Sequence, residues 1–273
     1  MTATEPATGA RACLARTAAV SYRHFLVLRR SPHRFFDVTV LPFVDSLLFG
    51  SLGTFIAREG GAGRTSAAYL LAGIVLWHIL YQAQIAVSTG FLDEVSSRNL
   101  LSMMVTPIRE AEYLAGTALV GLAKLVLAVA GVSAAAFLLY AFDVTTLGIG
   151  LIPIAAVLVV AGWALGLFVI GLVLRFGSGA EAFAWGIMFL IMPLSGVFYS
   201  RQSLPGFLQP VSAALPTTHA FAAGRSLLSD NAFPWHDFRL AAITTALLAA
   251  LAVAFVARAF TVFLRRGYIT RHM

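Results

Sequence analysis

Residues 148–174 read GIGLIPIAAVLVVAGWALGLFVIGLVL, an apolar run that contains no charged side chain. A helix needs about 20 apolar residues to cross the hydrocarbon core of a bilayer, so this run predicts a membrane-spanning helix. Similar runs recur along the chain. Only 11% of the 273 residues are charged, whereas soluble domains carry about 25%. The sequence therefore predicts an all-α integral membrane protein.

Six transmembrane helices are predicted, at about residues 36–57, 67–89, 113–140, 148–174, 181–200 and 239–260. Residues 1–10 are small and polar and predict a disordered tail, and residues 11–273 predict a single transmembrane domain. Arginines alternate with apolar side chains over residues 11–34, which favours an amphipathic helix in the headgroup region over a merely positive tail. Four prolines interrupt residues 201–238, so this stretch predicts short helices that dip into the outer leaflet.

The distribution of basic residues predicts the orientation of the chain. With the amino terminus inside, thirteen arginines lie on the inner side and five on the outer side, as the positive-inside rule requires. Both termini are therefore expected in the cytoplasm, with the chain in the cell (inner or plasma) membrane. The net charge of +7 is interpreted as orientation and contact with anionic lipid, not as nucleic-acid binding.

Several functional classes lack the residues that they need. A Walker A loop requires a lysine followed by serine or threonine, but the only lysine, Lys124, precedes Leu125. With one cysteine, Cys13, the chain has no internal disulfide framework and no cysteine metal cluster. Ser195 and His219 superficially suggest a serine–histidine protease, but the surrounding sequence PLSGVF lacks the expected pattern. We expect no catalytic residue, metal or cofactor on this chain.

Few ionisable residues fall inside the predicted spans, and the notable ones are Asp45, His78 and Lys124. A charged group in hydrocarbon is costly, so each is a candidate for function. Asp45 is the hardest to dismiss, because it lies about two turns inside the first span. It either pairs structurally with Lys124 or takes part in proton or substrate movement, as in a gradient-driven secondary transporter.

The loop after the second span, residues 89–113, reads TGFLDEVSSRNLLSMMVTPIREAEY. Gly90 is expected to break the preceding helix, and Asp93 and Glu94 favour the start of a new short helix over residues 93–104. Thr106 and Pro107 then suit the cap and first turn of the next helix. Such a helix, held between two spans, is either an ordinary loop helix or a segment that docks into a soluble partner.

Three sequence blocks resemble a known family. They are DEVSSRNLLSMMVTPI at 93–108 followed by Gly116, MPLSGVFYSRQSLP at 192–205, and LPTTHAFAAGRSLL at 215–228. Their order and spacing resemble the permease subunit of ABC-2 type exporters, the group of daunorubicin-resistance, nodulation-factor and polysaccharide export permeases. Ser200 stands where that family usually has proline.

The resemblance implies a six-span permease that pairs with a second copy or a paralogue. It implies that ATP and magnesium are bound by a separate P-loop ATPase, that the 93–104 helix is the coupling helix, and that residues 201–228 form an outer re-entrant pair. The ATPase-coupling residues implied are Asp93, Glu94, Arg98, Leu100, Leu101, Thr106 and Pro107. The expected function is outward movement of an amphiphilic, lipid-like, glycolipid or drug-like substrate.

An aromatic and methionine stripe on the fifth span is suited to such a substrate. Its candidate residues are Met188, Phe189, Met192, Phe198 and Tyr199. Packing or lipid contact is the alternative interpretation of this stripe.

Overall fold

The computed structural model describes residues 9–30, 32–59, 64–96, 110–177, 181–229 and 232–266, and none of these lies in a β-strand. The helices are α1 (Ala10–Arg30), α2 (Pro32–Glu59), α3 (Arg64–Ser96), α4 (Glu110–Tyr140), α5 (Leu151–Phe176), α6 (Glu181–Leu194), α7 (Gln209–Ala214), α8 (Pro216–Ser229) and α9 (Trp235–Arg266). Short 3-10 turns cover Val144–Leu147 and Arg201–Ser203. Among the described residues, α2, α3, α4, α5 and α9 are long and apolar enough to cross a membrane.

Helix α3 is the centre of the bundle. Within its apolar segment, 83% of the residues are buried, against 22% in α2, 28% in α4 and 17% in α9. It packs against α2, α4, α5, α6 and α8. The buried polar side chains within this segment, His78, Gln82, Gln84 and Ser88, therefore face protein, and neighbouring helices must satisfy them instead of water or lipid.

Two glycines of α5 allow that helix to approach α3 closely. A methyl group at Gly162 would lie 2.6 Å from the carbonyl oxygen of Leu80 and 3.0 Å from the amide nitrogen of Gln84. Gly166 likewise lies against Val87. Small residues four apart are the usual device by which membrane helices bring their backbones together. The pair α3–α5 is consequently the most tightly joined part of the bundle.

The packing fixes the direction of each pass. Helices α5 and α9 are parallel, because Gly150 packs against Phe233 near the start of both and Gly171 against Phe255 near their ends. The chain between α5 and α9 therefore returns to the end from which α5 started. Helix α6 makes most of that return, from Trp185 beside Tyr81 to the turn where Val197 meets Gly73.

The fifth predicted span, residues 181–200, is wrong in its extent. Helix α6 ends at Leu194, and its 14 residues span about 21 Å at 1.5 Å per residue, less than the hydrocarbon core. The physical reason is Gly196, which adopts a φ of 64°. A left-handed glycine just past the last turn is a common helix terminator.

Two other boundaries also differ from the sequence predictions. Gly90 does not break its helix, because α3 continues to Ser96. A glycine inside a helix costs only about 1 kcal/mol relative to alanine, and tertiary packing overrides that preference. The amphipathic helix predicted over 11–34 ends at Arg30, and Pro32 starts α2, since proline favours the first turn of a helix. The rest of the predicted 93–104 helix, from residue 97, lies outside the described residues.

Candidate functional site

Residues 195–229, called the outer segment here because they include the predicted outer re-entrant pair at 201–228, fold into a corner of two helices. Two of the sequence blocks meet in it. The hydroxyl groups of Ser195 and Thr217 share a hydrogen bond in a fully buried position. The Arg225 guanidinium donates through Nη1 to the carbonyl oxygen of Gly196. The blocks at 192–205 and 215–228 therefore form one structural unit.

Arg225 also joins the outer segment to α3. Its guanidinium carbon lies 5.1 Å from the centre of the Tyr69 ring, a distance at which a cation is attracted to an aromatic face. Burial lowers the pKa of Arg225 below its ordinary value, and the nearby Tyr69 and Asp237 oppose that decrease. The side chain thus links the turn at Gly196, helix α8 and the first turns of α3.

The corner between α7 and α8 is closed by polar side chains. The His219 ring contacts the carbonyl oxygen of Ala213 at 2.9 Å through Nε2, and Ser212 lies 3.3 Å from the Thr218 hydroxyl. Ser195 bonds to Thr217 instead of His219. The arrangement is that of a structural turn, and it does not form the serine–histidine pair that a protease requires.

Close backbone contact holds the outer segment against α3. Gly73 faces the carbonyl oxygen of Val197 so tightly that a β-carbon at position 73 would collide with it. Gly224 of α8 is similarly pressed against the Leu76 side chain. Val197 itself is fully buried. The outer segment is therefore packed onto α3 as firmly as a core element.

Asp45 and His78 form a pair inside the bundle. The Asp45 Oδ2 atom lies 3.2 Å from His78 Nε2, with the carboxyl 24% exposed and the imidazole fully buried. The separation is that of an ion pair, yet neither ring nitrogen makes a well-aligned hydrogen bond to any residue that the structure describes. A buried imidazole in this condition is unusual and needs a structural or functional explanation.

Lys124 lies on α4, far from Asp45 along the bundle. Helices α2 and α4 are both antiparallel to α3, and the Tyr140 hydroxyl donates to the carbonyl oxygen of Leu47. Lys124 precedes Tyr140 by four and a half turns, and Asp45 precedes Leu47 by half a turn, so the two lie roughly 20 Å apart along the axis. The geometry therefore favours His78 over Lys124 as the partner of Asp45.

The predicted substrate stripe does not form one surface in this conformation. Met188 is 2% exposed and belongs to the core, whereas Phe189 is 74% exposed. Phe198 stacks on Phe49 with ring centres 4.0 Å apart, and the Tyr199 hydroxyl donates to the carbonyl oxygen of Pro193. Met192 is partly buried against the core.

Residues 15–229 match the family model described as ABC-2 type transporter. The chain belongs to the ABC-2 type transporter family. It is accordingly a membrane-spanning transport protein of the permease type, and the predicted family is confirmed. The match begins within α1 and runs through α6 to the end of the outer segment. A search of curated proteins found no match.

The predicted coupling residues of this ABC-2 permease fall largely beyond the described structure. Asp93 and Glu94 lie in the last turns of α3. The other five, Arg98, Leu100, Leu101, Thr106 and Pro107, lie outside the described residues. Their role in coupling stays a prediction.

The same end of the permease contains an ion pair that the sequence did not reveal. Arg16 of α1 donates to Glu112 of α4 through Nε and Nη2, both at 2.7 Å. The hydrogen bond that Arg16 donates to Glu112 raises the pKa of Arg16, and burial opposes the increase. The partners are 96 residues apart, and no motif spacing relates an arginine of an amphipathic helix to a carboxyl of a distant span.

Proposed function

We propose that the chain is the membrane-spanning subunit of an ATP-driven exporter that works with a separate P-loop ATPase. It pairs with a second copy or a paralogue and moves an amphiphilic, lipid-like, glycolipid or drug-like substrate outward. The observation that carries this proposal is the ABC-2 family match over residues 15–229. The sequence has no Walker A loop of its own, which supports a partner as the source of energy.

The continuity of α3 supports a mechanical link between the two ends of the permease. This helix has 33 residues and is therefore about 50 Å long. Its first turns hold the outer segment through Tyr69 and Gly73, and its last turns lead into the predicted coupling segment. A continuous helix that is buried over most of its apolar segment is able to carry a displacement from one end to the other.

The proposed cycle follows from that connection. ATP closes the two ATPase subunits, which displace the coupling segments and tilt α3 and α4. The outer segment then separates from its neighbours, and a path between the two permease halves opens outward. ATP hydrolysis resets the bundle.

The proposed location is the cell membrane, with both termini in the cytoplasm and α1 in the headgroup layer. Exposed Leu14, Tyr22 and Phe25 give α1 an apolar surface for the acyl boundary, and its arginines suit anionic lipid. On α6, the exposed Phe189 is the stripe residue best placed to meet lipid or an amphiphilic substrate.

Recovery of the partner tests the proposal directly. The tagged chain is solubilised in mild detergent from its native host and purified, and the eluate is assayed for ATP hydrolysis. We expect a stoichiometric P-loop protein with vanadate-sensitive activity. A chain that elutes alone even after crosslinking contradicts the proposal.

The coupling segment has its own test. Arg98→Glu and Leu101→Ser are expected to reduce transport while the protein stays in the membrane. Arg258→Gln, an exposed arginine of α9, is the control for loss of a positive charge. Unchanged transport in both coupling variants rejects the assignment of residues 93–104.

One observation favours a second candidate, a gradient-driven secondary transporter. The Asp45–His78 pair joins the first and second predicted spans, and His78 is buried without a well-aligned hydrogen bond to the described residues. Such a pair is able to exchange a proton as the protein changes conformation. In that case transport follows an ion gradient and is lost on Asp45→Asn.

A further inference from the structure

Helix α1 is attached to the base of α4 by a continuous contact face. Arg16 of α1 donates to the Glu112 carboxylate of α4. One turn further along both helices, the Ser21 hydroxyl donates to the Gly116 carbonyl oxygen at 3.1 Å. Val20 fills the space that Gly116 leaves, because a β-carbon at position 116 would lie 2.8 Å from Val20. Glu112 and Gly116 are one turn apart on α4, so a single face of each helix makes the contact.

The ion pair at the centre of this face is of the strong kind. Two parallel hydrogen bonds join a guanidinium to a carboxylate, a geometry that adds both energy and direction. Glu112 is only 3% exposed, whereas Arg16 is 20% exposed. Separating the pair would remove two charge-assisted hydrogen bonds from a buried carboxylate, which is costly. The contact therefore favours joint movement of the two helices over sliding between them.

The position of this contact in the chain gives it a mechanical role. Glu112 lies in the first turn of α4, directly after the segment between α3 and α4 that contains the predicted coupling residues. A displacement of that segment reaches the bundle through the base of α4 as well as through the last turns of α3. Helix α1 is fixed to the base at that point.

We propose that Arg16 and Glu112 are positioning residues that make α1 and the base of α4 one rigid unit. The unit turns displacement of the coupling segment into tilt of α4, because an amphipathic α1 resists movement along the membrane normal. This inference rests on the proposed function, since it needs an ATPase that displaces the coupling segment.

The test uses a thiol probe, so that no substrate needs to be known. Val197, fully buried between the outer segment and α3, is replaced by cysteine in a Cys13→Ser background. The complex with the co-purified ATPase is reconstituted into phospholipid vesicles. The rate of labelling by a membrane-impermeant maleimide added outside is then measured with and without ATP and magnesium trapped in the vesicle lumen, because the ATPase and the outer segment face opposite sides of the membrane.

The charges of Arg16 and Glu112 are reversed one at a time and then together in a double variant. We expect Arg16→Glu and Glu112→Arg each to reduce the ATP-driven increase in labelling about tenfold, within the coupling that contacting residues show. ATP hydrolysis by the bound partner should continue. The double variant restores the pair and should recover labelling to within about threefold of the parent, incompletely because a cation is unfavourable near a helix amino terminus. Arg11→Glu, an exposed change on the same helix, should have no effect.

The outcomes separate the two proposals. Single variants that respond to ATP like the parent, or a double variant no better than the singles, overturn the positioning role. A parent complex that contains no ATPase overturns the proposed function itself, before any variant is compared.

A crosslink tests joint movement without changing charge. Val20→Cys and Gly116→Cys place two thiols across the α1–α4 face. Their β-carbons would lie 2.8 Å apart, so the helices need to move apart by about 1 Å to reach the usual spacing of about 3.8 Å in a disulfide. Formation of the disulfide is first verified in protein that keeps Val197. Val197→Cys is then added, and if the helices move as one unit, the oxidised protein should keep its ATP-driven labelling at this cysteine. Loss of labelling on oxidation, and its recovery on reduction, would show that the two helices must separate.

Discussion

The Arg225 guanidinium donates a hydrogen bond to the carbonyl oxygen of Gly196, a residue 29 positions earlier in the chain. Gly196 is in the left-handed region, so its carbonyl points out of the turn that ends α6. The same guanidinium lies over Tyr69 of α3. One side chain thereby joins α6, α8 and α3 at the outer end of the bundle.

Replacing Arg225 should loosen this end of the permease. Arg225→Gln removes a charged hydrogen bond and a cation–π contact, which together contribute about 2 kcal/mol. We expect the cysteine of Val197→Cys to become accessible to maleimide without ATP. Arg201→Gln, an exposed arginine of the same segment, is the control. Equal labelling in the Arg225→Gln and Arg201→Gln variants would contradict the prediction that Arg225 holds the outer segment against α3.

A methyl group at Gly162 should destabilise the contact between α3 and α5. Its β-carbon would meet the backbone of Leu80 and Gln84 at 3.0 Å or less, and overpacking of this kind costs about 1–3 kcal/mol. We expect Gly162→Ala to melt at a lower temperature in detergent. Gly131→Ala in α4, where nothing lies within 4 Å, should melt at or above the parent temperature. The reverse order would exclude close backbone packing here.

Asp45→Asn distinguishes the two candidate functions. In an ATP-driven permease the Asp45–His78 pair is a packing contact, so the variant should keep its ATP-driven response within about threefold of the parent. A gradient-driven carrier should instead lose transport altogether. Asp237→Asn, at the outer end of α9, controls for loss of a carboxylate. The measurement is the rate of maleimide labelling at Val197→Cys, with ATP in one experiment and with an imposed proton gradient in the other.

Asp143 should give a small pH dependence to the turn before α5. Hydrogen bonds from the Thr145 hydroxyl and amide lower the pKa of Asp143, and burial opposes this. A pKa that is lower in the folded state adds stability above the unfolded value, and this stability is lost as the pH falls through the folded value. We therefore expect Asp143→Asn to lose less melting temperature than the parent below about pH 4. Parallel curves down to pH 3 would show that the cap does not titrate as expected.

The longest apolar runs were predictable because uniform composition leaves a chain segment no alternative to a buried or lipid-exposed helix. The predicted span at 148–174 differs from α5, Leu151–Phe176, by three residues at its start and two at its end. The predicted 181–200 span failed because one glycine, at position 196, takes a left-handed conformation that hydropathy does not register.

The contacts of the candidate site were less predictable, since they join residues distant in sequence. The blocks around Ser195 and Thr217 were recognised, but not the hydrogen bond between them. Asp45 was predicted either to pair with Lys124 or to take part in proton or substrate movement, and its contact in the structure is with His78. Arg16 and Glu112 each looked like an ordinary charge near a helix end, and only the packing of α1 on α4 brings them together.

The most direct measurement concerns the energy source of the permease. Vesicles containing the complex with Val197→Cys enclose ATP, ATP with vanadate, or no ATP with an imposed proton gradient, and the rate of labelling by maleimide added outside is compared. We expect labelling to rise with ATP, to be altered by vanadate and to ignore the gradient. Labelling that follows the gradient and is indifferent to ATP would contradict the proposal that a separate ATPase drives this chain.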